Sequence, residues 1–254
     1  MRVRVLGAGA GGGFPQWNAN SEACRRARAG DPAARPATQA SIAVSVEGER
    51  WAVINASPDL RQQIEANPPL HPEAGLRSSP IAAVVLTFGD IVAFSGLLHL
   101  REGTPFAIYA HERVLGVLGS NPMFEVVSRT LVPRRRLLPE TPVELADAAG
   151  VPLGLRVTPF LEITETARPD RRLVYLANCA RVTHDIRERV AGSDILFMDG
   201  TLWRDDEMIV QGVGPKTGAR MGHVAMSGPE GAIARLQGVP VGRRIFIHVN
   251  NTNP

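Results

Sequence analysis

Apolar and polar positions alternate over residues 2–6, and the valines there predict a strand that runs directly into a glycine loop at 7–13. Two further strands are predicted over 41–46 and 51–55, and the Glu47-Gly48-Glu49 between them supplies the glycine that a hairpin turn favours. Ser57-Pro58 then reads as a helix cap with proline at the first helical position, and Leu60 and Ile64 carry a helical period through Ala66. Residues 81–86 are apolar throughout, as a strand buried on both faces requires. Farther on, the pattern predicts strands at 105–110, 153–158, 173–176, 195–198 and 243–249, with helices near 95–100, 111–118, 184–191 and 229–237. Strands alternating with helices place the chain in the α/β class.

With 254 residues, 44% of them apolar, the chain can bury a sizeable core, and one domain spanning 1–254 is expected. No apolar run reaches the length of about 18 residues that a membrane span needs, and the opening MRVRVLGAGAGGG has no apolar h-region, so the expected location is the cytoplasm with no membrane partner. Cys24 and Cys179 lie far apart and make no disulfide framework. Net charge is +3, carried almost wholly by arginine on the basic side. The run Arg134-Arg135-Arg136 follows Pro133 and reads as a solvated loop; without stacking aromatics beside it, no nucleic-acid partner is expected.

Two patterns carry chemistry. Gly7-Ala8-Gly9-Ala10-Gly11-Gly12 satisfies G-x-G-x-x-G after a strand, yet a dinucleotide site needs a helix to begin within the glycines, and Phe14-Pro15 breaks one. A tight turn that lets another backbone approach accounts for these glycines better. The second pattern is a set of donors placed after strands: Asp90 beyond 81–86, Asp199 beyond 195–198, His223 in a loop and His248 near the end of the last strand. Mixed carboxylate and imidazole donors suit a divalent cation such as iron, manganese or zinc. Singly, each is more often a turn former or a packed histidine; convergence from distant strand ends is what would make them a site.

Several segments, taken in order, resemble one family over nearly the whole chain: Gly11-Gly12-Gly13-Phe14-Pro15-Gln16-Trp17-Asn18, Ser41-Ile42-Ala43-Val44-Ser45, and the stretch Asn55-Ala56-Ser57-Pro58-Asp59-Leu60-Arg61-Gln62-Gln63-Ile64. Leu100-Arg101-Glu102-Gly103, Asp199-Gly200-Thr201, Lys216-Thr217, Met221-Gly222-His223 and His248-Val249-Asn250-Asn251-Thr252-Asn253-Pro254 complete the set. The chain resembles the protein B family of pyrroloquinoline quinone (PQQ) synthesis. That resemblance implies a metallo-β-lactamase-like αββα sandwich and an iron-dependent hydroxylase of the tyrosine-containing PQQ precursor, while an older description of the family implies a part in PQQ transport. Under that resemblance the retained donors would be Asp199, His223 and His248 as metal ligands and Asp90 as ligand or catalytic proton carrier. Iron is the expected divalent metal, with zinc as the alternative; the expected partner is the small-molecule or peptide-derived precursor, and a homodimer is left open.

The chain also departs from that family. Relatives end their metal loop in Asp-His, whereas Phe88-Gly89-Asp90-Ile91-Val92-Ala93 has Val92 and Ala93 there, neither able to ligate. Affinity is expected to fall with each ligand lost. His99 could substitute, although a helical position facing the core is the better reading. Where relatives place C-x-C-x-x-C for a structural zinc, this chain has Ala19, Ser21 and Cys24, so no structural zinc is expected. The stretch 159–172 and the carboxyl end at Pro254 are shorter than in relatives. Two functions follow: a metal-dependent oxygenase, or a non-catalytic relative that binds or helps transport PQQ or its precursor.

Overall fold

In the computed structural model, which describes residues 1–159 and 162–254, the chain gathers into two units: Met1–Gly7 with Ser41–Arg171, and Ala8–Ala40 with Arg172–Pro254. In the first unit the alternating amino-terminal segment forms β1 (Arg2–Gly7), which pairs antiparallel with β2 (Ser41–Ser45). β2 and β3 (Trp51–Ile54) form the expected hairpin, with Gly48 in the turn at φ +100°, where a side chain would be strained and a Cβ would meet Arg2. β4 (Ile81–Leu86), β5 (Ala107–His111) and β6 (Arg134–Leu137) follow in parallel and complete a six-stranded sheet in sequence order. Every residue of β4 is buried, as its unbroken apolar run implies. Trp51, Leu60, Leu97, Phe106, Ile108 and Leu118 belong to the core of this unit, each contributing about 1.5–3 kcal/mol by burial.

Three local expectations are corrected here. The helix read from Ser57-Pro58 begins later, as Leu60–Glu65 with Asp59 at its N-cap; Ser57 is fully buried and its hydroxyl turns to the Gln63 side chain at 3.1 Å. His99 is exposed, its Nε2 3.3 Å from the Pro58 carbonyl, on a 3₁₀ segment Ser95–Leu100 rather than on the core face of a helix. The arginine run is strand β6, not a loop. Alternation along the strand separates the charges: Arg135 meets the Tyr109 hydroxyl (2.6 Å) and the carbonyls of Ala146 and Asp147, while Arg136 pairs with Glu112 at 2.9 Å.

The first unit also holds an antiparallel ladder of β7 (Val143–Ala146), β8 (Pro152–Thr158) and β9 (Glu162–Glu165). The stretch 159–172, expected to be short, lies partly outside the described residues. In the second unit β10 (Arg172–Leu176), β11 (Ile195–Asp199) and β12 (Arg243–Ile247) run parallel. The helix Glu22–Arg28, missed by pattern, starts at Ser21, whose hydroxyl accepts from the Cys24 amide. The helix expected over 229–237 contracts to Ala232–Arg235. Among the described residues no helix is long and apolar enough to cross a membrane.

Candidate metal centre

Asp199 is the last residue of β11 and is fully buried. Its cross-strand partner on β12 is Ile247, so the next residue, His248, emerges beside it at the carboxyl end of the same parallel strands, where ligand sites of α/β sheets form. Gly200 allows this approach: its amide donates to the Ile247 carbonyl at 2.8 Å, and a Cβ would crowd that oxygen at 3.0 Å. His248 ends the strand because its backbone turns left-handed, φ +64°, a conformation histidine tolerates better than most residues at a cost on the order of 1 kcal/mol. His223 arrives from a different direction. Thr217 caps the short helix Gly218–Met221, Gly222 terminates it at φ +84°, and the His223 amide closes back on the Gly218 carbonyl at 2.9 Å.

The ligand-capable atoms of Asp199, His223 and His248 lie within 4.8 Å of one another, the grouping of this kind found among the described residues. Metal–ligand distances of about 2.0–2.2 Å place donors around one cation about 3–4 Å apart, so a small inward adjustment suffices and the three residues fit a divalent metal. The imidazoles stack at 5.6 Å with planes 19° apart. Asp199 Oδ1 accepts from the Thr201 amide (3.0 Å) and hydroxyl (2.7 Å); Oδ2 accepts from the Cys179 amide (2.8 Å) and meets His223 Nδ1 at 2.7 Å. Four partners fill the lone-pair sites of the carboxylate, so coordination by Asp199 requires one contact to yield. Burial, with the Asp199 charge adding to it, pushes the Cys179 thiol up to about 11, which keeps it protonated at neutral pH.

The glycine loop supports the same corner. The Val249 amide donates to the Ala8 carbonyl and the Ala10 amide to the Val249 carbonyl, both at 2.8 Å, which fixes the chain just after His248. The amides of Gly9, Ala10 and Gly13 are all taken by protein carbonyls, so they do not form a phosphate cradle, and the close-approach reading of the glycines holds. Asn251 locks the loop: its side chain donates to the Gly13 carbonyl (2.8 Å) and accepts from the Gln16 amide (2.9 Å) and the Cys24 thiol (3.1 Å). Cys24, with Ser21 as a helix cap and Ala19 before it, thus serves packing. Asn250, Asn251 and Thr252 line a cleft of about 700 Å³ together with Gln16, Asn20, Met208 and Gln211, where the Gln211 amide donates to the Thr252 carbonyl at 2.7 Å.

Asp90 lies in the first unit. It is exposed at the N-cap of the short helix Ile91–Phe94, and its side chain makes no cap hydrogen bond. Val92 and Ala93 fall inside that helix, and Ala93 is fully buried. Thr201 and Asn251 are the residues to which sequence reasoning gave no role; the Asp-x-Thr spacing, which lets a hydroxyl fold back on the carboxylate two residues earlier, is the signal for Thr201.

A model of the β-lactamase superfamily domain matches residues 50–249. "Coenzyme PQQ synthesis protein B" of Gluconacetobacter diazotrophicus is 49% identical, over 98% of this chain and 89% of that protein. The crystal structure of Zn(2+)-bound PqqB from Methylobacterium extorquens superposes with a TM-score of 0.93 at 50% identity, covering 100% of this chain and 90% of that one. A diphosphatase of the PhnP family shares the fold, with a TM-score of 0.70 at 20% identity.

Proposed function

The chain belongs to the coenzyme PQQ synthesis protein B family, on a metallo-β-lactamase fold, and from that premise we propose that it serves PQQ biosynthesis as a metal-dependent hydroxylase of the tyrosine-containing precursor. The observation that carries this reading is the convergence of Asp199, His223 and His248 within 4.8 Å from three separate chain segments. These three side chains would hold a divalent cation, iron with zinc as the alternative. When bound, iron supplies the oxygen-activating chemistry that a hydroxylation needs. The protein's own contribution is positional: Asp199 orients His223, and the left-handed turn at His248 aims the second imidazole. Asp90 enters this proposal from the family resemblance, as a further ligand or proton carrier; its side chain is exposed and makes no cap hydrogen bond.

A second reading, a family member that binds or helps transport PQQ or its precursor without turning it over, is favoured by Val92 and Ala93, because Ala93 is packed away with no exposed surface. Elemental analysis of protein purified without chelators separates the two. The hydroxylase reading expects close to one iron or zinc per chain and, with the iron form, a gain of oxygen in the precursor by mass spectrometry. A folded, metal-free protein that still binds precursor establishes the second. The proposed site of action is the cytoplasm, testable by fractionation of producing cells.

A further inference from the structure

The Thr201 hydroxyl has one hydrogen and three partners: Asp199 Oδ1 at 2.7 Å, His248 Nδ1 at 2.8 Å and His223 Nδ1 at 3.0 Å. A carboxylate oxygen can only accept, so at 2.7 Å the hydroxyl hydrogen goes to Asp199. The hydroxyl oxygen is then an acceptor toward both rings, and each Nδ1 must bring its own hydrogen. His223 receives this instruction twice, because Asp199 Oδ2 also stands 2.7 Å from its Nδ1. For His248 the Thr201 hydroxyl, 2.8 Å from its Nδ1, makes a link to the same carboxylate.

Resting on the metal-centre reading, we propose that Thr201 is a positioning residue: its hydroxyl relays the hydrogen-bond demand of Asp199 to His248, fixes that ring as the Nδ1–H tautomer and presents Nε2 as the coordinating nitrogen. A neutral imidazole ligates through the nitrogen that lacks hydrogen, and the group holding the other nitrogen selects which one that is. Threonine suits the task because the hydroxyl both donates and accepts, and because its branched Cβ has few rotamers. At 5% exposure no bulk water competes for the hydroxyl.

The test compares full-length wild type with Thr201→Val and Thr201→Ser. Long-range ¹H–¹⁵N NMR on histidine-labelled, metal-free protein reads the tautomers directly. The expected result is Nδ1–H at both rings in wild type, loss of the Nδ1–H form at His248 in Thr201→Val with His223 retained, and recovery in Thr201→Ser. Zinc affinity, measured by chelator competition, is expected to weaken about 10–100-fold in Thr201→Val and to recover in Thr201→Ser. His248 keeping Nδ1–H in Thr201→Val overturns the proposal, as does weakened zinc binding with tautomers unchanged, which would mark a packing role. Should Thr201→Val fail to fold, Thr201→Ala is read the same way. If wild type binds neither zinc nor iron, the metal-centre reading falls while the NMR comparison still decides the relay.

Discussion

The carboxyl ends of β11 and β4 are built alike and furnished differently. Each closes a parallel strand with a parallel neighbour on either side, and each is followed within a few residues by an aspartate or ends in one. At β11, Asp199 is fully buried and holds the Cys179 and Thr201 amides, the Thr201 hydroxyl and the His223 ring. Beyond β4, Asp90 is exposed, and the positions where the family resemblance calls for Asp-His are folded into the helix Ile91–Phe94. There the Ala93 carbonyl accepts from the Ala56 amide at 2.7 Å, and Phe94 meets Phe124 edge-on at 5.2 Å. The contrast teaches which ligand positions a chain can surrender. A donor that also satisfies buried backbone amides cannot be removed without orphaning them, at about 1–3 kcal/mol each, whereas a donor beside an apolar core can be exchanged for a residue that simply extends that core.

Asp199→Ala probes this contrast with the largest expected effect. It should destabilise the protein by about 3–5 kcal/mol, a fall of roughly 10 °C in Tm, and abolish metal binding, both readable by calorimetry with and without zinc. A variant that melts with wild type would break the argument that Asp199 holds structure and ligand together. Next, Val92→Asp with Ala93→His restores donors to the other end: a larger ring at the fully buried position 93 should cost about 1–3 kcal/mol, while metal per chain rises by elemental analysis. Unchanged metal content would show that this end no longer takes part in binding. Asp90→Asn has the smallest expected effect on folding, within about 0.5 kcal/mol, since the side chain is exposed and caps nothing. Weaker metal binding in it assigns Asp90 as a ligand; slower turnover at equal metal content assigns it to proton transfer; neither change removes it from the site.

Local pattern in the sequence determined β1 to β5, β8 and β10 to β12, because alternation and unbroken apolar runs are set by neighbours a few residues apart. It named Asp199 and His248 because donors stand out at the ends of such strands, His223 through the family resemblance of its loop, and the departures at Val92, Ala93, Ala19 and Ser21 were legible as missing chemistry. Tertiary structure alone decided the rest. Arg134–Leu137 is a strand because β5 offers it a parallel edge and Tyr109, Ala146 and Asp147 receive its central arginine, partners 11–26 residues away that no window shows. His248 faces Asp199 because β12 pairs β11 in one register, and it stays there because the glycine loop, more than 230 residues earlier, bonds Val249 and Asn251. Thr201 gained its role only when three polar groups converged on one hydroxyl, since the direction of a hydrogen bond is fixed by all of its partners together and not by the residue that carries it.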